Sequence, residues 1–144
     1  MRKSVIAILF IALLFSCEEK RKKVDEDKVR LEKVCDEFMT QFSLGQVTKA
    51  MDLLRTNSVI SNSQIDSLTA TANNHMSNAF TSYGKIIGFE FVSEKNISDF
   101  IYQRFYILKF EKFYLKFDFF LYNNGKRWAI TGFNYSDDLG EMLY

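Results

Sequence analysis

Downstream of residue 25 the apolar positions follow two different periods, and the change between them divides the chain. Leu31, Val34, Cys35, Phe38, Met39 and Phe42 fall at i, i+3, i+4, i+7, i+8 and i+11, one stripe along a helix that ends near Gly45. A shorter helix over Val47 to Arg55 presents Val47, Ala50, Met51 and Leu54. After the loop TNSVISNS, Ser61 or Ser63 is the N-cap of a third helix, with Ile65, Leu68, Ala72, Met76, Ala79 and Phe80 on its buried side. Beyond Tyr83-Gly84 the period drops to two. KIIGFEFVS is the first strand, and FIYQRFYILKF, FYLKFDFFLY and RWAITGFNY are three more. Glu111-Lys112 joins the second strand to the third, and Asn124-Gly125, the signature of a type I′ turn, joins the third to the fourth. The predicted fold class is α+β: three N-terminal helices packed on one face of a curved antiparallel sheet of four strands.

Side chains alternate strictly along a strand, so two even-numbered hairpin loops assign residues to faces. One face collects Tyr102, Arg104, Tyr106, Leu108 and Phe110, then Phe113, Leu115, Phe117, Phe119 and Leu121, then Trp128, Ile130, Gly132 and Asn134. This is the expected core face. The other is mixed: Phe105, Phe120, Tyr122 and Phe133 stand on it among Gln103, Lys116, Asp118 and Arg127. Those four aromatics form a candidate interface for a homodimer or an envelope protein partner, unless Lys116, Asp118, Arg127 and the tail SDDLGEMLY screen them. A bulge in any strand exchanges the two sets beyond it.

Composition adds a leader and removes several functions. Arg2 and Lys3 precede an apolar run from Val5 to Phe15, too short to span a bilayer and shaped like a secretory signal. Leu14-Phe15-Ser16-Cys17 resembles the bacterial lipoprotein box, with Phe15 departing from its usual small or aliphatic residue. The expected organisation is a signal peptide over 1–16, a lipidated Cys17 with a charged tether over 17–28, and a single domain over 29–144. Several acyl chains on Cys17 hold such a protein on a membrane, here the cell envelope and by expectation the outer membrane. The 19 Lys and Arg nearly balance the 18 Asp and Glu, so no basic surplus points to nucleic acid.

The remaining chemistry is sparse. Arg104 is the outlier of the core face: a guanidinium there reaches the rim or lines a cavity with something to pair with. The cavity reading groups Tyr102, Arg104, Tyr106, Trp128 and Asn134 as a ligand-binding pocket for a small anionic or polar molecule. His75, the only histidine, lies near the end of the third helix with no second ligand at metal spacing and no orienting partner nearby in sequence. Cys35 sits within the apolar stripe, which suits a buried thiol rather than a nucleophile. No catalytic residue, metal site or cofactor is predicted.

The order of elements, ending near NGKRWAITGF and spaced by Gly45, Ser61, Gln64 and Gly84, resembles the nuclear transport factor 2-like, cystatin-like cone fold, and in particular its small lipid-anchored members of unknown function. The resemblance spans Asp25 to Tyr135. It implies a cone that serves either as a binding or dimerisation module or as a small isomerase or dehydratase; none of the catalytic signatures maps onto this chain. Three functions follow as expectations: a non-enzymatic envelope lipoprotein binding a ligand or protein, a small enzyme using His75, Tyr102, Tyr106 or Arg104, and an immunity or inhibitor protein acting through its open sheet face.

Overall fold

A computed structural model describes residues 26–140. The leader, Cys17 and the greater part of the tether lie outside the described residues. Helix α1 covers 26–43, α2 Val47–Asn57 and α3 Asn62–Ser77, followed by a short 3-10 helix, Ala79–Tyr83. Four strands complete the chain: β1 Ile86–Ser98, β2 Ile101–Phe110, β3 Tyr114–Asn123 and β4 Trp128–Ser136. They form one antiparallel meander in the order β1-β2-β3-β4, curved and unclosed, so the expected α+β architecture is the observed one.

Local chemistry explains the helix boundaries. Gly45 takes φ +75°, the left-handed conformation that glycine adopts without a Cβ penalty. Its N–H donates to the Phe42 carbonyl at 2.9 Å, and the Gln46 N–H donates to the Gln41 carbonyl at 2.9 Å, a Schellman closure of α1. Ser61 caps α3 in a reciprocal box with Gln64: the Ser61 hydroxyl accepts from the Gln64 N–H, and the Gln64 side chain accepts from the Ser61 N–H.

The α1 stripe packs against the sheet as expected. Leu31, Cys35, Phe38, Met39 and Phe42 are fully buried, together with Tyr106, Leu108, Phe117, Phe119, Leu121 and Ile130 of the strands. Phe38 meets Phe119 edge-on at 5.2 Å between ring centroids, and Phe42 meets Phe117 at 4.9 Å. Edge-to-face contacts of this kind add about 0.5–1.5 kcal/mol each to what burial contributes.

Two hairpin details differ from the sequence expectation. The β3–β4 connection is not a type I′ turn, which needs positive φ at both central residues; Gly125 has φ +85°, but no non-glycine described residue has positive φ. Instead Asn123 pairs with Trp128 across a four-residue loop, in which the Asn124 side chain accepts from the Lys126 and Arg127 N–H groups at 3.0 and 3.1 Å. Four is still even, so face parity survives the turn. It is lost further along β4. Leu121 pairs with Ile130, but Phe120 pairs with Gly132, leaving Thr131 as the extra residue of a bulge.

The bulge corrects the face assignment. Phe133 and Tyr135 turn to the helix side: Phe133 lies 4.9 Å from Phe38, and Tyr135 stacks on Phe117 at 5.5 Å. Asn134 moves to the opposite face, exposed and paired in register with Asp118. The exchange swaps two solvated aromatics for two packed ones, which is the reason it prevails.

β1 runs past the expected KIIGFEFVS as far as Ser98 and carries three register shifts against β2, at Ile87, Val92 and Ile97. All three residues are exposed. Repeated bulges keep this long edge strand from presenting a regular hydrogen-bonding template.

Candidate functional site

The polar core-face residue, Arg104, sits at the seam where α1 crosses β1 and β2. Its side chain is only 9% exposed. The Val92 bulge restores Glu94 to the helix face opposite Arg104, where Arg104 Nη1 donates to Glu94 Oε2 at 3.0 Å. From α1, Asp36 Oδ1 lies 3.5 Å from Arg104 Nη2 and Glu32 Oε1 lies 3.9 Å from Nη1. Arg104 Nε donates to the Tyr106 hydroxyl at 3.1 Å, and that hydroxyl donates in turn to Asp36. Lys28 closes the group, 3.0 Å from Glu94 and 4.1 Å above the Tyr102 ring, while the Phe91 ring lies 4.4 Å from the Arg104 guanidinium.

Electrostatics follow from this geometry. Burial works against the Arg104 charge, yet the Tyr106 hydroxyl and Asp36 hold its pKa above the usual arginine range. Burial pushes the Tyr102 and Tyr106 hydroxyls up, assisted by Glu32 at Tyr102 and by Asp36 at Tyr106. Burial likewise pushes the Cys35 thiol up, as befits a buried apolar position rather than a nucleophile.

The expected pocket is therefore assembled only in part, and as packing rather than as a void. Tyr102, Arg104 and Tyr106 come together, and Trp128 joins through an edge-on contact with Tyr102 at 5.1 Å. Asn134 is a correction: the Thr131 bulge removes it to the other face. Glu32, Asp36, Glu94 and Lys28 are the partners that sequence reasoning missed. Lys28, Glu32 and Asp36 lie at i, i+4 and i+8 along the flank of the apolar stripe, a legible signal; Glu94 has none, because its face depends on the bulge.

The candidate interface is corrected at two positions. Phe133 packs among Phe38, Phe117 and Phe119 on the helix side. Phe105 is 1% exposed, lying on the two central strands with Gln103, Lys116 and Asp118, themselves buried. The Gln103 amide donates to Asp118 at 3.3 Å, and Lys116 stands 3.7 Å from Asp118. Phe120 is half-buried and Tyr122 exposed, 6.2 Å from the exposed Phe100. His75 occupies a boundary position, and the fold supplies the partner its sequence neighbours lack: its Nδ1 lies 3.0 Å from the Tyr135 hydroxyl.

Open space lies at the rim. A cleft of about 600 Å³ is bounded by the first turns of α1, the end of α2 and the β3–β4 loop, with Asp27, Arg30, Asn57, Lys126, Arg127 and Trp128 among its lining. A second, of about 450 Å³, runs between α3 and the β4 bulge, past Ile60, Leu68, Gly132 and Phe133. Among the described residues no group of three or more His, Cys, Asp or Glu is placed to hold a metal ion, and no helix is long and apolar enough to cross a membrane. No protein-family model, no curated protein and no solved structure matches this chain.

Proposed function

We propose that this chain is a non-enzymatic lipoprotein of the bacterial cell envelope, held on the membrane by lipid at Cys17, whose cone-shaped domain of the nuclear transport factor 2-like type binds a ligand or a protein partner at its rim. The observation that carries the reading is how the helix face of the sheet is used. Phe38, Phe42, Phe117 and Phe119 fill it, and its polar groups, Arg104 and Tyr106, hold each other and Asp36. A catalytic pair needs reacting groups within reach of one another and of a substrate. Arg104 and Tyr106 satisfy the first requirement as a strut between α1 and the sheet, whereas the two clefts are lined by neither. The immunity or inhibitor alternative leans on an open sheet face, and the burial of Gln103, Phe105, Lys116 and Asp118 weakens it.

Native mass spectrometry of the intact lipoprotein, extracted in detergent from its own host, tests the proposal. The expected result is a non-covalent companion, a small molecule or a second protein. A chain that carries no companion and turns over a small-molecule substrate would sink it.

A further inference from the structure

The rim cleft between α1, α2 and the β3–β4 loop has a lining that specifies a class of ligand. We propose that it binds a small organic anion: a carboxylate or phosphate head group joined to a short apolar body. This rests on the reading of the domain as a binding module and names the chemistry of its site.

The walls are tied to one another without a ligand. Asp27 Oδ2 accepts the Trp128 backbone N–H at 2.8 Å, joining α1 to β4. Arg30 Nη1 donates to Asn57 Oδ1 at 2.7 Å, joining α1 to the end of α2. The Val59 N–H donates to the Ile130 carbonyl at 3.0 Å, fastening the segment after α2 to the sheet. A preformed cleft of about 600 Å³ falls within the size range of small-molecule sites, and its rigidity lowers the ordering cost of binding.

The charges select the head group. Asp27 and Arg30 neutralise each other, since Arg30 Nε and Nη2 donate to Asp27 Oδ1 at 3.1 and 2.9 Å. These bonds and the one to Asn57 engage three of the five guanidinium N–H groups, leaving two to donate. Lys126 and Arg127 are exposed, and neither side chain forms an ion pair with a described carboxylate, while Glu26 is the lining's one carboxylate in the same condition. Two cations against one anion leave the cleft positive by one charge, which favours an anion and disfavours an ammonium ion. Val59, 60% exposed, stands in the lining with Ala129 and the 93%-buried Trp128, giving an apolar body a place to rest.

Trp128 is the chain's only tryptophan, so its fluorescence reports on this cleft. The intact lipoprotein in detergent micelles is titrated with hexanoate and hexyl phosphate, with hexanol and hexylammonium as uncharged and cationic controls. The expected result is a saturable change with at least one anion, none with the controls, and binding at least tenfold weaker in the K126Q/R127Q variant at unchanged thermal stability. The tighter anion identifies the head group. The proposal is overturned by no saturable response to either anion, by an equal response to hexylammonium, or by K126Q/R127Q binding as tightly as the parent. If that variant keeps the companion found on the wild-type chain in native mass spectrometry, this cleft is not the site, while the binding reading stands.

Discussion

Arg104 shows what a single charge does inside an apolar layer. Its guanidinium spreads over Glu94, Asp36 and Tyr106, which an ammonium cannot match at once. Removing one partner of a buried ion pair costs about 3–5 kcal/mol, but Asp36 is half-exposed and can rehydrate, so we expect Arg104→Met to lose about 2 kcal/mol in urea unfolding, with Arg104→Lys recovering less than half. A loss below about 0.5 kcal/mol would mean the group is ornamental. Buried protonated groups set the alkaline limit. Tyr102, Tyr106, Tyr135 and Cys35 all have their pKa raised by burial, so the folded chain holds these protons to higher pH than the unfolded chain, which releases them from about pH 8.5 for the thiol and about pH 10 for the phenols. Their stabilisation is complete below those values and falls as pH rises through and above them. Unfolding free energy measured from pH 7 to 11 should decline from about pH 8.5, and Cys35→Ala should move the onset of decline toward about pH 10.

At the scale of elements, one inserted residue decides what the fourth strand does. Ile130, Phe133 and Tyr135 all reach the helix face because Thr131 adds a residue between the first two. Deleting Thr131 removes the extra residue, so Gly132 still pairs with Phe120, and Phe133 and Tyr135 keep the helix face; the loss should be below about 1 kcal/mol, whereas Phe133→Ala should lose about 3 kcal/mol from a packed aromatic. Equal effects in chemical denaturation would contradict the bulge. The helices were readable because stripe, cap and terminator agree: Leu31 to Phe42 set the face, Ser61 and Gln64 the start of α3, and Gly45 the end of α1. The first two aromatic strands were readable for the same reason, since the turn at Glu111-Lys112 preserves alternation. Bulges have no strong local code. Gly132, which a side chain would bring within 3.2 Å of Phe120, together with the apolar Phe133 and Tyr135, was the available hint in β4. In β1 the polar run EKN hid the continuation of the strand, and with it Glu94. The same blindness to register misplaced Asn134 in the expected pocket and Phe133 in the expected interface.

For the whole molecule, filling and fastening the helix face leaves open space at junctions between elements. The cleft of Arg30, Lys126 and Arg127 lies at such a junction, built from the first helix, the second helix and the last hairpin. Under the proposed lipid anchoring at Cys17, membrane residence is a separate matter: Cys17→Ser should release the chain from the membrane fraction, and retention of that variant would refute lipid anchoring. The central claim is that binding occurs at the rim and not inside the sheet's helix face. Tyr106→Phe tests it most directly, because it deletes the hydroxyl that links Arg104 to Asp36 while keeping the ring that fills the core. Extracted from its host and weighed by native mass spectrometry beside the wild type, the variant should carry the same companion at the same occupancy. A folded Tyr106→Phe chain that has lost its companion would place binding among Tyr102, Arg104 and Tyr106, and would contradict the account.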